Sequence, residues 1–218
     1  TYHVNLGRAL ASAGSREEAI ACYQRALRLA PDHAAAHINL GNALHREGQI
    51  EQAIAVHRRA AELQPGEAVV HTNLGNALAD YGDLDEAAGC YQRALSIARD
   101  SPEALNGLGA CLWKRGLLDP AVELIQQACQ LKPGFAAAYG NLGTVLRDQA
   151  RLPEAEAALR RAVQLDPANW RAHSNLLYTL WFCPGLSVQA IGDEHRMWEQ
   201  QHAHRLTVAA PAHTNDRD

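Results

Sequence analysis

No run of apolar residues in this sequence approaches the ~20 that a membrane-spanning helix needs. The opening TYHVNLGRAL lacks a secretory pattern. Charge of one sign is never concentrated: 20 Lys and Arg stand against 24 Asp and Glu, mixed along the whole chain for a net charge of -4. That excludes a basic nucleic-acid patch and an acidic tail. Five cysteines, Cys22, Cys90, Cys111, Cys129 and Cys183, form no CxxC pair and no Cys/His spacing of a zinc site. They read as small, reduced packing residues, which points to the cytoplasm. A Gly-rich phosphate loop and a GxSxG elbow are missing as well. The expectation is a chain with no cofactor, no metal and no catalysis of its own.

What the sequence does have is a period. The stretch Ala34 to Glu67, AAAHINLGNALHREGQIEQAIAVHRRAAELQPGE, returns when the chain is shifted by the length of that stretch in either direction. Leu6-Gly7 becomes Leu40-Gly41, Leu74-Gly75, Leu108-Gly109 and Leu142-Gly143, and then Leu176-Leu177 with the glycine lost. Ala19 recurs as Ala53, Ala87, Ala121 and Ala155, and Ala26 as Ala60, Ala94, Ala128 and Ala162. Pro31, Pro65, Pro133 and Pro167 close four of the units. Each unit is too small to bury an apolar face alone and must bury it against its neighbours.

This pattern resembles the tetratricopeptide repeat (TPR), a helix-turn-helix unit of the same period. The resemblance implies an all-α fold, an α-solenoid wound as a right-handed superhelix. Residues 1–169 give five repeats, the first lacking its start, so the chain reads as cut from something longer. Residues 170–205 form an atypical capping helix pair, and residues 206–218 have the composition of a linker.

The units differ in detail. Residues 1–13 form the first helix, with His3, Leu6, Gly7 and Leu10 on one face. Ser15 followed by Glu18 opens the return helix as a capping box, and Asp83 with Glu86 does so in the third unit. Arg99 occupies a proline position while Pro102 follows three residues later, which predicts a shifted boundary. Glycine inside each first helix would ordinarily cost ~1 kcal/mol against Ala. Its recurrence predicts a close helix contact that a side chain would block. After Cys183-Pro184-Gly185, Ser187 caps a last helix whose Ile191, His195, Trp198 and His202 form one helical stripe suited to covering the end of the stack. These histidines and His204 read as packing or surface residues.

The end of the chain resembles something narrower. HSNLLYTLWF, a Pro-Gly break, EHRMWEQQHA and a polar HTNDRD tail are similar to the junction in bacterial relatives of the O-linked N-acetylglucosamine transferases, where TPR units lead into a glycosyltransferase domain. The resemblance implies that residues 206–218 lead toward such a domain beyond Asp218. It implies also that the sugar-nucleotide site lies there and on no residue of this chain.

The candidate site is a groove. At 100° per residue, His37, Leu40, Gly41 and Leu44 share one side of the second unit's first helix, and Ala35, Asn39, Asn42 and Arg46 share the other. Asn39 recurs as Asn5, Asn73, Asn141 and Asn175, interrupted by Gly107, and Asn42 recurs as Asn76. Asn is a mediocre helix former, but its amide both donates and accepts, which suits a peptide backbone. In the transferase family a similar asparagine ladder holds substrate polypeptide. Trp113 stands where it can either face the groove or pack on the next unit.

Arg8, Arg46, Asp80, Lys114, Arg147 and Asp148 alternate in sign along the groove. TPR adaptors that grip a C-terminal carboxylate use Lys just before the groove Asn, where this chain has Val4, Ile38 and Thr72. The expected partner is therefore an extended polypeptide or protein substrate, with no nucleic acid and no membrane; self-association stays open. Two functions follow: substrate recruitment for a transferase of this kind, or a free-standing TPR scaffold.

Overall fold

The structure is a computed structural model that describes residues 2–203, so the tail at 206–218 and His204 lie outside the described residues. The chain divides into two compact units, residues 1–131 and 132–218. The first holds α1 (Tyr2–Ser12), α2 (Arg16–Leu29), α3 (Ala34–Arg46), α4 (Ile50–Leu63), α5 (Ala68–Tyr81), α6 (Leu84–Ile97), α7 (Pro102–Lys114) and α8 (Leu118–Leu131). The second holds α9 (Ala136–Asp148), α10 (Leu152–Leu165), α11 (Trp170–Leu180) and α12 (Val188–Trp198), ending in a π-helical turn, Glu199–Ala203. Within each unit consecutive helices pack as antiparallel pairs, and the fold is an all-α solenoid of helix-turn-helix repeats.

The period positions every helix. The second helix of each pair from α2 to α10 starts at the same repeat position, Arg16, Ile50, Leu84, Leu118 and Leu152, and ends at the same one, Leu29, Leu63, Ile97, Leu131 and Leu165. Pro102 is the first residue of α7, in register with Ala68 and Ala136 at the starts of α5 and α9. The boundary expected to shift at Arg99 therefore does not shift. Proline fits there because the first helical turn has no N–H bond to lose, and Ser101 caps the turn by accepting from the N–H of Ala104 at 3.4 Å.

The turn inside each pair is closed by a left-handed residue, Gly14, Gly48, Gly82 and Gly116 in the first unit. In α9–α10 this place falls to Ala150, at φ 60°, where a Cβ is strained. Of the expected caps, Asp83 accepts from the N–H of Glu86 at 3.0 Å and Ser187 from that of Ala190 at 3.1 Å, but Ser15 makes no side-chain bond. The backbone explains it: ψ is 105° at Ser101 and 149° at Ser187 but only 70° at Ser15. The short hydroxyl then misses the helix start, whereas the longer Asp83 carboxylate reaches it from ψ 80°.

The core of the first unit is a file of Ala, Leu and Tyr running from Val4 through Leu40, Leu74 and Leu108. Leu6, the counterpart of Leu40, is 38% exposed because no described helix precedes α1 to cover it; Val4 and Gly7 are the buried residues of that helix. In the second unit Leu159, Leu176, Leu180 and Ile191 close the core. The last helix is rotated from the expected stripe: His195 is exposed, and Ile191, Glu194 and His202 face inward. The reason is polar. Glu194 Oε1 lies 3.2 Å from Nε2 of the fully buried His173, and Glu194 Oε2 accepts from Arg160 at 2.9 Å. The π-helical turn then brings His202 Nε2 to 3.2 Å from His173 Nδ1.

Candidate functional site

Each first helix of a pair turns one face inward and leaves one open. In α3, Leu40, Gly41 and Leu44 are buried, while Ala35 and Arg46 are at most half-covered and Asn39 and Asn42 half-buried. Three of the four residues expected on the packed side are buried, and the fourth, His37, is half-buried like Asn39 and Asn42. Asn5 of α1 and Asn73 of α5 occupy the same register as Asn39. Asn5, Asn39, Asn42 and Asn73 make no side-chain hydrogen bond within the described residues, so their amides are available to a ligand.

The other amides are engaged. Asn76 accepts from the Tyr91 hydroxyl at 2.8 Å. The ring of Tyr91 also fills the space where a Cβ on Gly107 would sit, which is why the ladder breaks at that position. In the second unit Asn175 donates to Thr144 Oγ1 at 3.4 Å, and Asn141 is half-buried and already in contact. Trp113 is half-buried and in contact too.

The charges do not form a simple alternation. Asp80 Oδ2 is 2.7 Å from His45 Nε2, and Arg147 pairs with Asp148 at 3.2 Å while lying over the Tyr178 ring. Arg8 and Arg46 are different. They stand one repeat plus one helical turn apart, and meet at a cavity of about 200 Å³ also lined by Ser12, Arg16, Tyr23, Asn39 and Asn42. Arg8 and Asn39 continue into a neighbouring hollow with Asn5, His33 and Ala35.

Tyr23 forms the buried wall of this cavity, 2% exposed. Burial holds its phenol above the ordinary value, while the charges of Arg8 and Arg46 act in the opposite direction. Arg16 pairs with Glu47 at 3.4 Å, and Glu17 and Glu18 line the same outer hollow. Sequence reading placed Arg46 in the groove and missed Tyr23 and Arg16; the signal available was the offset of one repeat plus one turn.

Cys129 is buried and Cys90 half-buried. Burial pushes Cys90 and Cys129 up to about 11, far from the thiolate form a nucleophile needs. His173, Glu194 and His202 form the network that seats α12, and no metal-holding group of His, Cys, Asp or Glu occurs among the described residues. No helix among them is long and apolar enough to cross a membrane.

The geometry thus defines a class, an α-solenoid of helix pairs with an open amide-bearing face. Tetratricopeptide-repeat families match residues 7–48, 33–100, 72–136 and 135–165, and the chain carries tetratricopeptide repeats across residues 7–165. No curated protein matches the sequence.

Among solved structures, a chain of the APC/C hetero-tetramer Cut9-Hcn1 is similar with TM-score 0.84 at 20% identity, covering 94% of this chain; this chain spans only 40% of the length of that one. Pseudomonas aeruginosa pilF is similar at 0.73 and 18% identity, covering 96% of this chain and 92% of its own. YrrB, described as a TPR protein with an unusual peptide-binding site, is similar at 0.59 and 25% identity, covering 78% of this chain and 88% of its own.

Proposed function

We propose that the open face of the first helices holds an extended polypeptide by its backbone. The observation that carries this is the set of unspent amides, Asn5, Asn39 and Asn73, standing in one register on α1, α3 and α5. A carboxamide can accept from a peptide N–H and donate to a peptide C=O at once, so such a row reads chain direction and spacing and ignores side-chain identity. Asn42 and Arg46 of α3 flank this register within the first unit. The likeness to YrrB, whose description names a peptide-binding site, supports a peptide as ligand.

The test is the affinity of a panel of unrelated extended peptides for the wild type and for a variant carrying Asn5→Ala, Asn39→Ala and Asn73→Ala. At ~0.5–1.5 kcal/mol per neutral hydrogen bond, binding weakens by roughly one to three powers of ten, to a similar degree across the panel. Equal affinities with equal melting curves would remove the site from this face.

The narrower role is substrate recruitment for an O-linked N-acetylglucosamine transferase-like enzyme in the cytoplasm. It rests on the junction residues 170–218 and on five cysteines used as packing residues. The reading frame beyond Asp218 decides it: a glycosyltransferase domain supports recruitment, and a stop codon leaves a free-standing scaffold.

A further inference from the structure

The cavity at Tyr23 carries a specificity that the amide row lacks. Arg8 and Arg46 both act on the Tyr23 phenol, and neither has an acidic partner among the described residues. Two guanidinium groups left facing one hollow repel each other, and an anion seated between them relieves that repulsion. Arg16 at the rim is paired with Glu47 at 3.4 Å and shares an outer hollow with Glu17 and Glu18, so the free positive charge of the cavity is that of Arg8 and Arg46. In the next repeat the register positions of Arg8 and Arg46 hold Asn42 and Asp80, so this pair of guanidinium groups is not repeated there.

We propose that this cavity is a carboxylate subsite, which makes the groove selective for polypeptides that place an acidic group against α1–α3. The chemistry fits. A carboxylate is planar and meets a guanidinium through paired N–H donors, and the amides of Asn39 and Asn42 can donate to its remaining lone pairs. The cavity, at about 200 Å³, is smaller than the ~300–1,000 Å³ of drug-sized ligand sites and suits one side chain or chain end. Arg8 and Asn39 line both this cavity and the neighbouring hollow that holds Asn5, so a backbone lying along the amides delivers its acidic group to the arginines. The subsite fixes the register of a polypeptide that the amides alone would let slide.

The inference rests on the groove reading, and the experiment separates the two. Fluorescence anisotropy measures the affinities of extended peptides identical but for one Glu or Gln, each with a free or amidated C-terminus. The proteins are the wild type and a variant carrying Arg8→Gln and Arg46→Gln, both exposed positions, with circular dichroism melts to show that folding is retained. The wild type prefers the acidic peptide by about tenfold at low salt, the preference shrinks as salt is raised, and in the double variant the ratio falls to about one.

A preference that persists in amidated peptides assigns the carboxylate to the Glu side chain. One that follows only the free terminus assigns it to the chain end. Equal binding of Glu and Gln peptides and of both termini overturns the subsite and leaves the groove standing; binding of neither overturns both.

Discussion

Gly41 and His57 face each other so closely that a Cβ on Gly41 would lie 2.5 Å from His57 Cε1. The same relation joins Gly7 to Tyr23, Gly75 to Tyr91, Gly109 to Ile125 and Gly143 to Leu159. Each pair of helices is thus locked by a ring or branched side chain of the second helix set into a notch of the first. In the sixth pair Leu177 and Asp193 hold these positions, and Asp193 is exposed; the lock is gone and a polar network seats the helix instead.

Gly41→Ala should therefore destabilise the protein by ~1–3 kcal/mol, the cost of overpacking a filled core, although alanine is the better helix former. Gly140→Ala is the control, since its Cβ would meet nothing nearer than Ala162 Cβ at 4.0 Å; there the substitution should stabilise by up to ~1 kcal/mol. Denaturant melts of the two variants check the pair. Equal effects would mean that the notch is not what holds the helices together.

His57 makes the fold sensitive to acid. It is fully buried, both ring nitrogens lack partners, and burial, helped by the charge of His45, lowers its pKa to about 4. The unfolded chain takes up a proton near pH 6.5 and the folded one does not until about 4, so stability falls as pH drops through that window. The fall totals roughly 3 kcal/mol and levels off below it. His57→Tyr, the residue that the neighbouring pairs carry, should abolish this part of the pH dependence. Denaturant melts at neutral and mildly acidic pH compare wild type and variant, and an unchanged slope would contradict the assignment.

Ala150 at φ 60° stands where four other repeats use glycine. Ala150→Gly should stabilise by up to ~1 kcal/mol, because relief of the left-handed strain outweighs the added freedom of the unfolded chain. A lowered melting temperature would show that the strain is absorbed elsewhere.

The helices were legible because their positions follow from a period, and a period needs no knowledge of contacts. Gly41 gave away its close contact, since a residue so costly in a helix recurs only where something requires it. Facing residues were harder to read. Arg8 and Arg46 meet across a repeat and a further helical turn, an offset set by how neighbouring repeats pack, and along the sequence they looked like members of an alternating series. The inward turn of Glu194 was hidden for a related reason: hydropathy favours His195 for the buried stripe, and only the waiting His173 and Arg160 make a carboxylate acceptable there. Ser15 looks like a cap in sequence and fails by a backbone angle.

The cap on the second unit depends on Ile191, buried against Leu159, Leu176 and Leu180. Ile191→Ala should cost ~2–5 kcal/mol and raise hydrogen exchange in α11 and α12 first. Uniform exchange across the unit would mean that α12 does not cap it.

The central claim, that unspent asparagine amides grip a peptide backbone, is tested most directly by changing the backbone itself. A bound peptide is remade with single ester bonds in place of successive amides, which removes one N–H donor at a time and leaves every side chain intact. Affinities are measured for the wild type and for Asn39→Ala. The account predicts that one ester position weakens binding to the wild type by ~0.5–1.5 kcal/mol and has no further effect in Asn39→Ala, the two changes being coupled through the same hydrogen bond. Ester and Asn39→Ala effects that simply add at every position would show that Asn39 does not hold the backbone.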